Sequence, residues 1–178
     1  MKTVFFDIEA GGLKSNVDQI LCAAFKPYGK RPYVIDRELA GENDKKLACL
    51  IRDELKKYDH VVTYYGLDFD MPFISGRLLK YGLTPMPRKL HTDCYRLAKK
   101  IFKWTVVSKR LVYLCEHLGI AGKTRVDFAL WEEMKYASVK DRQAALAEAV
   151  DHCRWDVITL EKAYEKCFKH AIVSISMG

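Results

Sequence analysis

The stretch Val4-Phe5-Phe6-Asp7-Ile8-Glu9-Ala10-Gly11-Gly12 joins an apolar run to two carboxylates. Its β-branched and aromatic residues are typical of a buried central strand. Because side chains alternate between the two faces of a strand, Asp7 and Glu9 point the same way and lie close together. The two glycines allow the chain to turn away after them. The stretch predicts a candidate divalent-metal site, although a solvated turn is the alternative unless further carboxylates join this pair.

The composition is that of a globular domain. The chain has 178 residues, of which 49% are hydrophobic and 30% charged, and we expect one domain over residues 1–178. The chain enters its first strand at once and has no apolar run of membrane length, so we expect no signal peptide and no membrane segment. Six cysteines without a C-x-x-C pair indicate free thiols in a reducing, cytoplasmic compartment. The net charge of +7 suits a polyanionic partner.

Three short strands at the N-terminus predict an antiparallel meander. The second strand is expected at residues 19–26 and the third at 32–36, with short turns between the strands. A helix beginning near residue 43 precedes an apolar strand at 60–64, which favours parallel pairing of that strand with the first. With a fifth strand at 90–93, the pattern predicts an α/β fold with a five-stranded mixed sheet.

A third carboxylate follows the fourth strand, in the segment Tyr64-Tyr65-Gly66-Leu67-Asp68-Phe69-Asp70-Met71-Pro72-Phe73-Ile74. Pro72 fits the first turn of a helix, where the N–H that proline lacks would have no partner. Asp70 therefore lies at a strand-to-helix junction, where open α/β sheets usually bind ligands. The alternative is that Asp70 or Asp68 merely caps the helix.

Cations alternate with aromatic side chains between residues 99 and 110, which read KKIFKWTVVSKR. This pattern suits a groove that neutralises phosphates and stacks bases. A solvated helix end with a core tryptophan is an equal alternative. The segment also predicts a helix capped by Ser108. The candidate nucleic-acid-binding residues are Phe69, Lys99, Lys103, Trp104, Lys109 and Arg110.

One long amphipathic helix is predicted from about residue 139 to about residue 169, because apolar residues recur there at steps of four and three. This apolar stripe consists of Leu146, Val150, Cys153, Val157, Leu160, Tyr164 and Cys167. His152 and Asp156 are one turn apart beside the stripe, so they face the edge of the buried surface. The pair is functional only if other acidic groups converge on it. A shorter helix is expected around 128–131, and the tail at 172–176 could form a strand.

Three segments together resemble the sequence motifs of the DEDD superfamily, the ribonuclease H-like 3′–5′ exonucleases that include the proofreading domains of DNA polymerases. These segments are Phe6-Asp7-Ile8-Glu9, residues 64–73 and His152-Cys153-Arg154-Trp155-Asp156-Val157. Residues 93–99 and 118–120 also resemble the middle region of the family, so the resemblance covers most of the chain. It implies a ribonuclease H-like fold with helices on both faces of the mixed sheet.

The resemblance also implies a role for each matching residue. Asp7 would bridge two divalent cations, Mg²⁺ or Mn²⁺, with Glu9 and Asp156 completing the first site and Asp70 holding the second. His152 would be the general base. Two cations suit phosphodiester hydrolysis because they stabilise the attacking and leaving oxygens. Hard oxygen ligands favour these ions, and the sequence indicates no thiol or imidazole cluster that would compete for zinc.

Two departures from the family pattern concern the site. The family has Tyr with three residues before the last Asp, or His with four, whereas His152 stands at the Tyr spacing. The middle motif of the family usually carries Asn where this chain has Tyr65 and Asp68. Asp68 is therefore a rival to Asp70, and the match of Phe69-Asp70 to the motif decides for Asp70.

The resemblance implies a metal-dependent 3′–5′ exonuclease that acts on nucleic acid, with single-stranded 3′ ends expected and DNA favoured over RNA. The alternatives are an endonuclease of the same fold acting on RNA–DNA hybrids or branched DNA, and a catalytically inactive nucleic-acid-binding module. The sequence shows no polymerase or helicase region. We therefore expect the chain to act alone or as a subunit, with a polymerase or repair protein as a possible partner.

Overall fold

A computed structural model of the chain describes residues 1–37, 43–122 and 139–169, the last range without the side chains of residues 139–142. The described strands form one sheet in the order β3-β2-β1-β4-β5. Their bounds are β1 Thr3–Ala10, β2 Ile20–Pro27, β3 Tyr33–Asp36, β4 His60–Thr63 and β5 Leu90–Asp93. The pairs β1–β2 and β2–β3 are antiparallel, whereas β1–β4 and β4–β5 are parallel. The predicted mixed sheet with an antiparallel meander is confirmed.

Helices cover both faces of this sheet, as predicted. The described helices are α1 Lys45–Leu55, α2 Asp70–Lys80, α3 Cys94–Phe102, α4 Leu111–His117 and α5 Val139–Ala163, with a π-helical turn at Tyr164–Phe168. Helices α1 and α2 pack on one face with Val4, Phe6 and Ile8 of β1. Helices α3, α4 and α5 pack on the other face, where Phe5 contributes the β1 side chain. The alternation along β1 therefore points Asp7 and Glu9 toward the face that carries α5.

A buried ion pair fixes the loop between β1 and β2 to the helices of the first face. Arg77 of α2 donates from Nη2 to Asp44 Oδ1 at 2.5 Å, and the two side chains are 1% and 0% exposed. Asp44 also accepts the N–H of Ile20 at 2.7 Å, while Arg77 donates to the backbone oxygen of Ser15 at 2.9 Å. Burial raises the pKa of Asp44, but hydrogen bonds from Arg77, Tyr81 and the Ile20 backbone outweigh it and the pKa is lowered.

Some local predictions differ from the structure or fall outside it. Ser108 does not cap α4, because the residue before the helix is Arg110, and Ser108 Oγ instead accepts the N–H of Arg110 at 3.3 Å. The helix expected around 128–131 and the tail at 172–176 lie outside the described residues. All six cysteines are free thiols. Across the described ranges, no helix combines the length and the apolarity needed to cross a bilayer.

Candidate active site

The acidic residues come from three elements that meet at one edge of the sheet. Because β1, β4 and β5 are parallel, their carboxyl ends share this edge. Asp7 and Glu9 lie in the last half of β1, and α2 begins at Asp70, after β4 has ended. Helix α5 packs across β1 and β2, and it carries His152 and Asp156 over the same edge. The topology thus brings together residues that are up to 149 positions apart in the chain.

The acidic pair of β1 contacts a cysteine of α5. Cys153 Sγ lies 3.5 Å from the backbone oxygen of Asp7 and 3.5 Å from its Oδ2. Ligand atoms of Asp7, Glu9 and Cys153 all lie within 4.8 Å of one another, and Cys153 is fully buried. Burial raises the pKa of the Cys153 thiol well above its ordinary value, and the charges of Asp7 and Glu9 add to the rise. The thiol is therefore protonated and donates to Asp7.

His152 lies between the acidic pair and the aspartate of its own helix. Its Nε2 is 3.7 Å from Glu9 Oε1 and 3.8 Å from Asp156 Oδ2. The three side chains are only 12% to 14% exposed, so they form a half-closed surface and not an open helix face. The one-turn spacing of His152 and Asp156 along α5 aligns them with β1. Glu9, His152 and Asp156 are consequently one continuous cluster.

Asp70 is joined to the same cluster through the backbone of β1. Its side chain is buried, and Oδ1 accepts the N–H of Ile8 at 3.0 Å. The parallel pairing of β1 with β4 runs from Thr3 to Phe5, so Asp70 takes the place of a strand partner for Ile8. Ile8 lies between Asp7 and Glu9, so this hydrogen bond joins the start of α2 to the part of β1 that carries both carboxylates. The helix-capping interpretation does not describe this contact, since the N-cap position of α2 is Phe69.

The cluster concentrates negative charge in a partly closed space. Burial raises the pKa of Asp70 to about 7, and the nearby carboxylates of Asp93 and Asp156 add to the rise. Asp156, whose charge acts on Asp70, also lies 3.8 Å from His152 Nε2. A divalent cation among these oxygens would offset the repulsion. The donor set therefore fits hard cations such as Mg²⁺ or Mn²⁺.

Asp68, the rival of Asp70, is engaged elsewhere. Its Oδ1 accepts from Arg96 Nη2 at 2.7 Å, in an ion pair whose side chains are 38% and 53% exposed. The hydrogen bond from Arg96 lowers the pKa of Asp68. Asp68 thus lies on the surface in a salt bridge, while Asp70 contacts β1.

Asp93 is a buried aspartate that the sequence analysis did not assign to the site. Its hydrogen bonds fix the loop between β4 and α2. Asp93 ends β5, caps α3 by accepting the N–H of Tyr95 at 2.9 Å, and also accepts the N–H groups of Tyr65 at 3.1 Å and Leu67 at 3.0 Å. Tyr65 adopts a φ of 71°, a left-handed conformation that is unusual for a tyrosine. The position of Asp93 directly before a predicted helix was the available signal.

The candidate nucleic-acid-binding residues divide into two groups. Phe69 is half-buried, with its ring centroid 5.5 Å from that of Phe73, so it belongs partly to the core. Lys99 is exposed on α3, and its Nζ lies 5.7 Å from the ring centroid of Tyr95 near the start of that helix. The backbone oxygen of Lys109 accepts from the hydroxyl of Tyr64, which follows β4. These contacts connect Lys99 and Lys109 with elements of the acidic edge.

Lys103 and Trp104 follow the C-terminal end of α3. Nine residues of helix separate them from the end of β5, a length of roughly 13 Å. Trp104 is 86% exposed, so the interpretation of this residue as a core tryptophan is wrong. Arg110 is also exposed. Trp104 and Lys103 thus lie on the surface just after the end of α3.

Cys153 is a second residue of the site that the sequence interpretation missed. The sequence suggested that no thiol competes for a soft metal here, and the contact of Cys153 with Asp7 corrects that expectation. The signal was present, since Cys153 lies between His152 and Asp156 in the third motif and on the stripe that faces the sheet. Only the register of α5 over β1 shows that this stripe position meets Asp7.

Comparisons with known proteins agree with this fold. The family model described as the RNase_H superfamily matches residues 4–168. The chain therefore belongs to the RNase H superfamily, and its fold is of the nuclease type.

Two archaeal proteins are similar to the chain. A DNA polymerase of Methanocaldococcus jannaschii is 25% identical over 136 residues, covering 59% of this chain and 8% of that protein. The structure of the family B DNA polymerase from the hyperthermophilic archaeon Pyrobaculum calidifontis matches with a TM-score of 0.71 and 20% identity, covering 93% of this chain and 24% of that chain. At this identity the structural likeness shows the fold alone. The chain spans only a small part of each of these two polymerases.

Proposed function

We propose that the chain is a 3′–5′ exonuclease that hydrolyses phosphodiester bonds at the 3′ end of a nucleic acid with the help of two divalent cations. The observation that carries the proposal is that His152 of α5 lies between Glu9 and Asp156, that Asp7 lies beside Glu9 on β1, and that Asp70 of α2 is hydrogen-bonded to Ile8 of the same strand. Membership of the RNase H superfamily supports a nuclease. The resemblance of the three motifs to the DEDD exonucleases supports the 3′–5′ direction.

The carboxylates would hold the cations. Asp7 would contact both ions, Glu9 and Asp156 would complete the first site, and Asp70 would hold the second. Bound there, two Mg²⁺ or Mn²⁺ ions roughly 3.5–4 Å apart would stabilise the attacking and leaving oxygens of the phosphodiester. Asp70 would shed its proton more readily once a cation lies nearby, because the cation offsets the charges that raise its pKa.

His152 would accept the proton of the attacking water. Imidazole is the side chain that exchanges protons near neutral pH, which suits a general base. Nε2 lies close to both Glu9 and Asp156, so these two carboxylates would orient the ring and stabilise its protonated form. The unusual three-residue spacing before Asp156 still keeps His152 on the face of α5 that meets β1.

The substrate would be a nucleic acid with a free 3′ end, with single-stranded DNA favoured. The net charge of +7 and the exposed cations Lys99 and Arg110 suit phosphate contacts. The two similar proteins carry the name DNA polymerase, which supports DNA over RNA and a polymerase or repair protein as a partner.

A labelled-substrate panel tests the proposal. DNA and RNA oligonucleotides labelled at either end, and circular single-stranded DNA, would be incubated with the chain in Mg²⁺, Mn²⁺ or EDTA. The proposal expects 5′-labelled strands to shorten stepwise, 3′ label to appear at once as mononucleotide, circles to persist, and EDTA to stop the reaction. Cleavage of circles would favour the endonuclease alternative. Binding without Mn²⁺-dependent turnover would favour the inactive module.

A further inference from the structure

The positive charge of the chain is concentrated in one short segment. Between Asp93 and Glu116 the sequence has six lysine and arginine residues and no carboxylate, while the net charge of the whole chain is +7. These cations are Arg96, Lys99, Lys100, Lys103, Lys109 and Arg110. All but Lys109 are exposed, and Arg96 pairs with Asp68. Nearly all of the excess charge therefore lies on α3 and the loop after it, which is the electrostatic pattern of a surface for a polyanion.

A strained turn in this loop holds Trp104 in solvent. The Thr105 N–H donates to the backbone oxygen of Phe102 at 2.7 Å, and the Thr105 hydroxyl donates to the same oxygen at 2.6 Å. Lys103 adopts φ 44° and ψ −107°, which is close to the first central position of a type II′ turn, where glycine is preferred. The next residue, Trp104, is 86% exposed. A strained backbone that presents a large aromatic side chain to water points to a binding role.

The segment is attached to the acidic edge at both ends. Helix α3 begins directly after Asp93, at the end of β5, and extends for 9 residues, or roughly 13 Å. After the turn, the backbone oxygen of Lys109 accepts from the hydroxyl of Tyr64, which directly follows β4. A strand whose 3′ end reaches the carboxylates can therefore continue along α3 toward Trp104. Stacked nucleotides of one strand advance about 3.4 Å each, so a path as long as α3 takes about four nucleotides.

We propose that Trp104, Lys99, Lys100 and Lys103 form an anchor for single-stranded nucleic acid upstream of its 3′ end. The indole would stack on an unpaired base, and the three lysines would contact the neighbouring phosphates. Because every base has a flat face, the anchor would hold a strand whatever its sequence. Nucleic acid is favoured over an acidic protein groove, since it offers both a negative charge at every nucleotide and aromatic faces for the indole.

That the anchored strand is also the one hydrolysed rests on the proposed function. The binding itself does not, because it is measured in EDTA, where metal-dependent turnover is stopped. Binding that depends on Trp104, in a chain without nuclease activity, would support the anchor and refute the proposed function. Nuclease activity together with binding that does not depend on Trp104 would do the reverse.

The test measures the affinity for 5′-fluorescein-labelled oligothymidylates of about 3 to about 12 nucleotides by fluorescence anisotropy in EDTA. Wild type should gain affinity once the strand exceeds about four nucleotides. Trp104→Ala should bind the longest strand roughly 5- to 100-fold more weakly and lose this gain with length. Leu79→Ala is the control, because Leu79 is 65% exposed on α2, and it should bind like wild type. Equal affinity of wild type and Trp104→Ala for the longest strand would overturn the proposal.

Two more variants separate base stacking from general apolar contact. Trp104→Phe keeps an aromatic face and should retain the affinity within a few-fold. Trp104→Leu keeps apolar bulk without that face, so it should bind as weakly as Trp104→Ala. Full affinity in Trp104→Leu would overturn the stacking and favour a protein groove as the occupant.

The cations are tested through the salt dependence of binding. Lys100→Gln combined with Lys103→Gln should reduce the slope of log affinity against log salt by roughly 1.4, because each phosphate contact to a single strand contributes about 0.7. The control combines Lys45→Gln with Lys162→Gln, which removes the same charge from exposed positions on α1 and α5. Equal slopes for the two double variants would overturn the proposal. This comparison decides even if circular dichroism shows that a Trp104 variant is unfolded.

Discussion

Asp70 shows how a single buried carboxylate prepares the site for a cation. Folding removes this side chain from water and places it near Asp93 and Asp156, so its pKa rises from 3.8 to about 7. The folded state therefore holds the proton more tightly than the unfolded state. It follows that the contribution of Asp70 to stability is fully present below about pH 4 and is lost as the pH rises to about 7.

Asp70→Asn should stabilise the metal-free protein at neutral and higher pH. Asparagine keeps the oxygen that accepts the Ile8 N–H and removes the charge. In EDTA at pH 8 we expect a gain of about 1 kcal/mol or more in the free energy of unfolding, or roughly 2–4 °C in Tm. The gain should shrink toward pH 4. Thermal melts across this pH range measure the gain. If Asp70→Asn were less stable than wild type at pH 8, the conclusion that Asp70 carries an unfavourable buried charge would be contradicted.

His152 offers a second prediction at the residue scale. His152→Gln should lower the rate of 3′-end hydrolysis by roughly 10²–10⁴-fold, because it removes the general base while glutamine still fits beside Glu9 and Asp156. His117→Gln is the control, since His117 is exposed on α4. Single-turnover rates on a labelled strand measure the effect. A rate within a few-fold of wild type would show that another group takes the proton.

Individual residues also show where prediction from sequence succeeded and where it stopped. Period-two alternation was enough to put Asp7 and Glu9 on one face of β1, because that rule is local. The contact of Cys153 with Asp7 spans 146 positions and depends on how α5 seats on the sheet, which no local pattern encodes. The sequence also left undecided whether Trp104 is exposed or buried, since cations and aromatics alternate both on surfaces and at helix ends.

At the scale of elements, the Asp44–Arg77 pair holds α1, α2 and the β1–β2 loop together. The predicted helix near residue 43 does begin after Asp44, but the carboxylate accepts from Ile20 and Arg77 and makes no helix cap. The residues next to Asp44 in the sequence could not reveal its partner Arg77, which lies 33 positions away. Because α2 carries Asp70 at its start, the pair also fixes the element that presents Asp70 to β1.

Arg77→Ala should destabilise the fold strongly. Removing one partner leaves the buried Asp44 charge uncompensated, and we expect a loss of about 3–5 kcal/mol in the free energy of unfolding. Arg96→Ala removes the exposed pair with Asp68 and should cost less than about 1 kcal/mol. Urea denaturation of both variants measures the difference. Equal losses would mean that the buried pair contributes no more than a surface salt bridge.

At the scale of the whole molecule, the site depends on sheet order. Parallel alignment of β1, β4 and β5 collects Asp7, Glu9, Asp70 and Asp93 at one edge, and α5 crosses that edge with Asp156. Strand number, the antiparallel meander and parallel pairing followed from strand lengths, turns and the intervening helix. The place of β5 beside β4 was not predicted, because hydrophobic patterns do not specify which strands are neighbours.

The most direct test of the central claim compares two aspartates of the same helix. Asp156 lies in the carboxylate cluster, whereas Asp151 is 56% exposed and pairs with Arg154 at 3.1 Å. The measurement is the rate at which 5′-labelled single-stranded DNA is shortened in Mn²⁺. We expect a loss of at least about 100-fold for Asp156→Asn and no change for Asp151→Asn, because only the first would remove a proposed cation ligand. Equal rates for Asp156→Asn and wild type would contradict it.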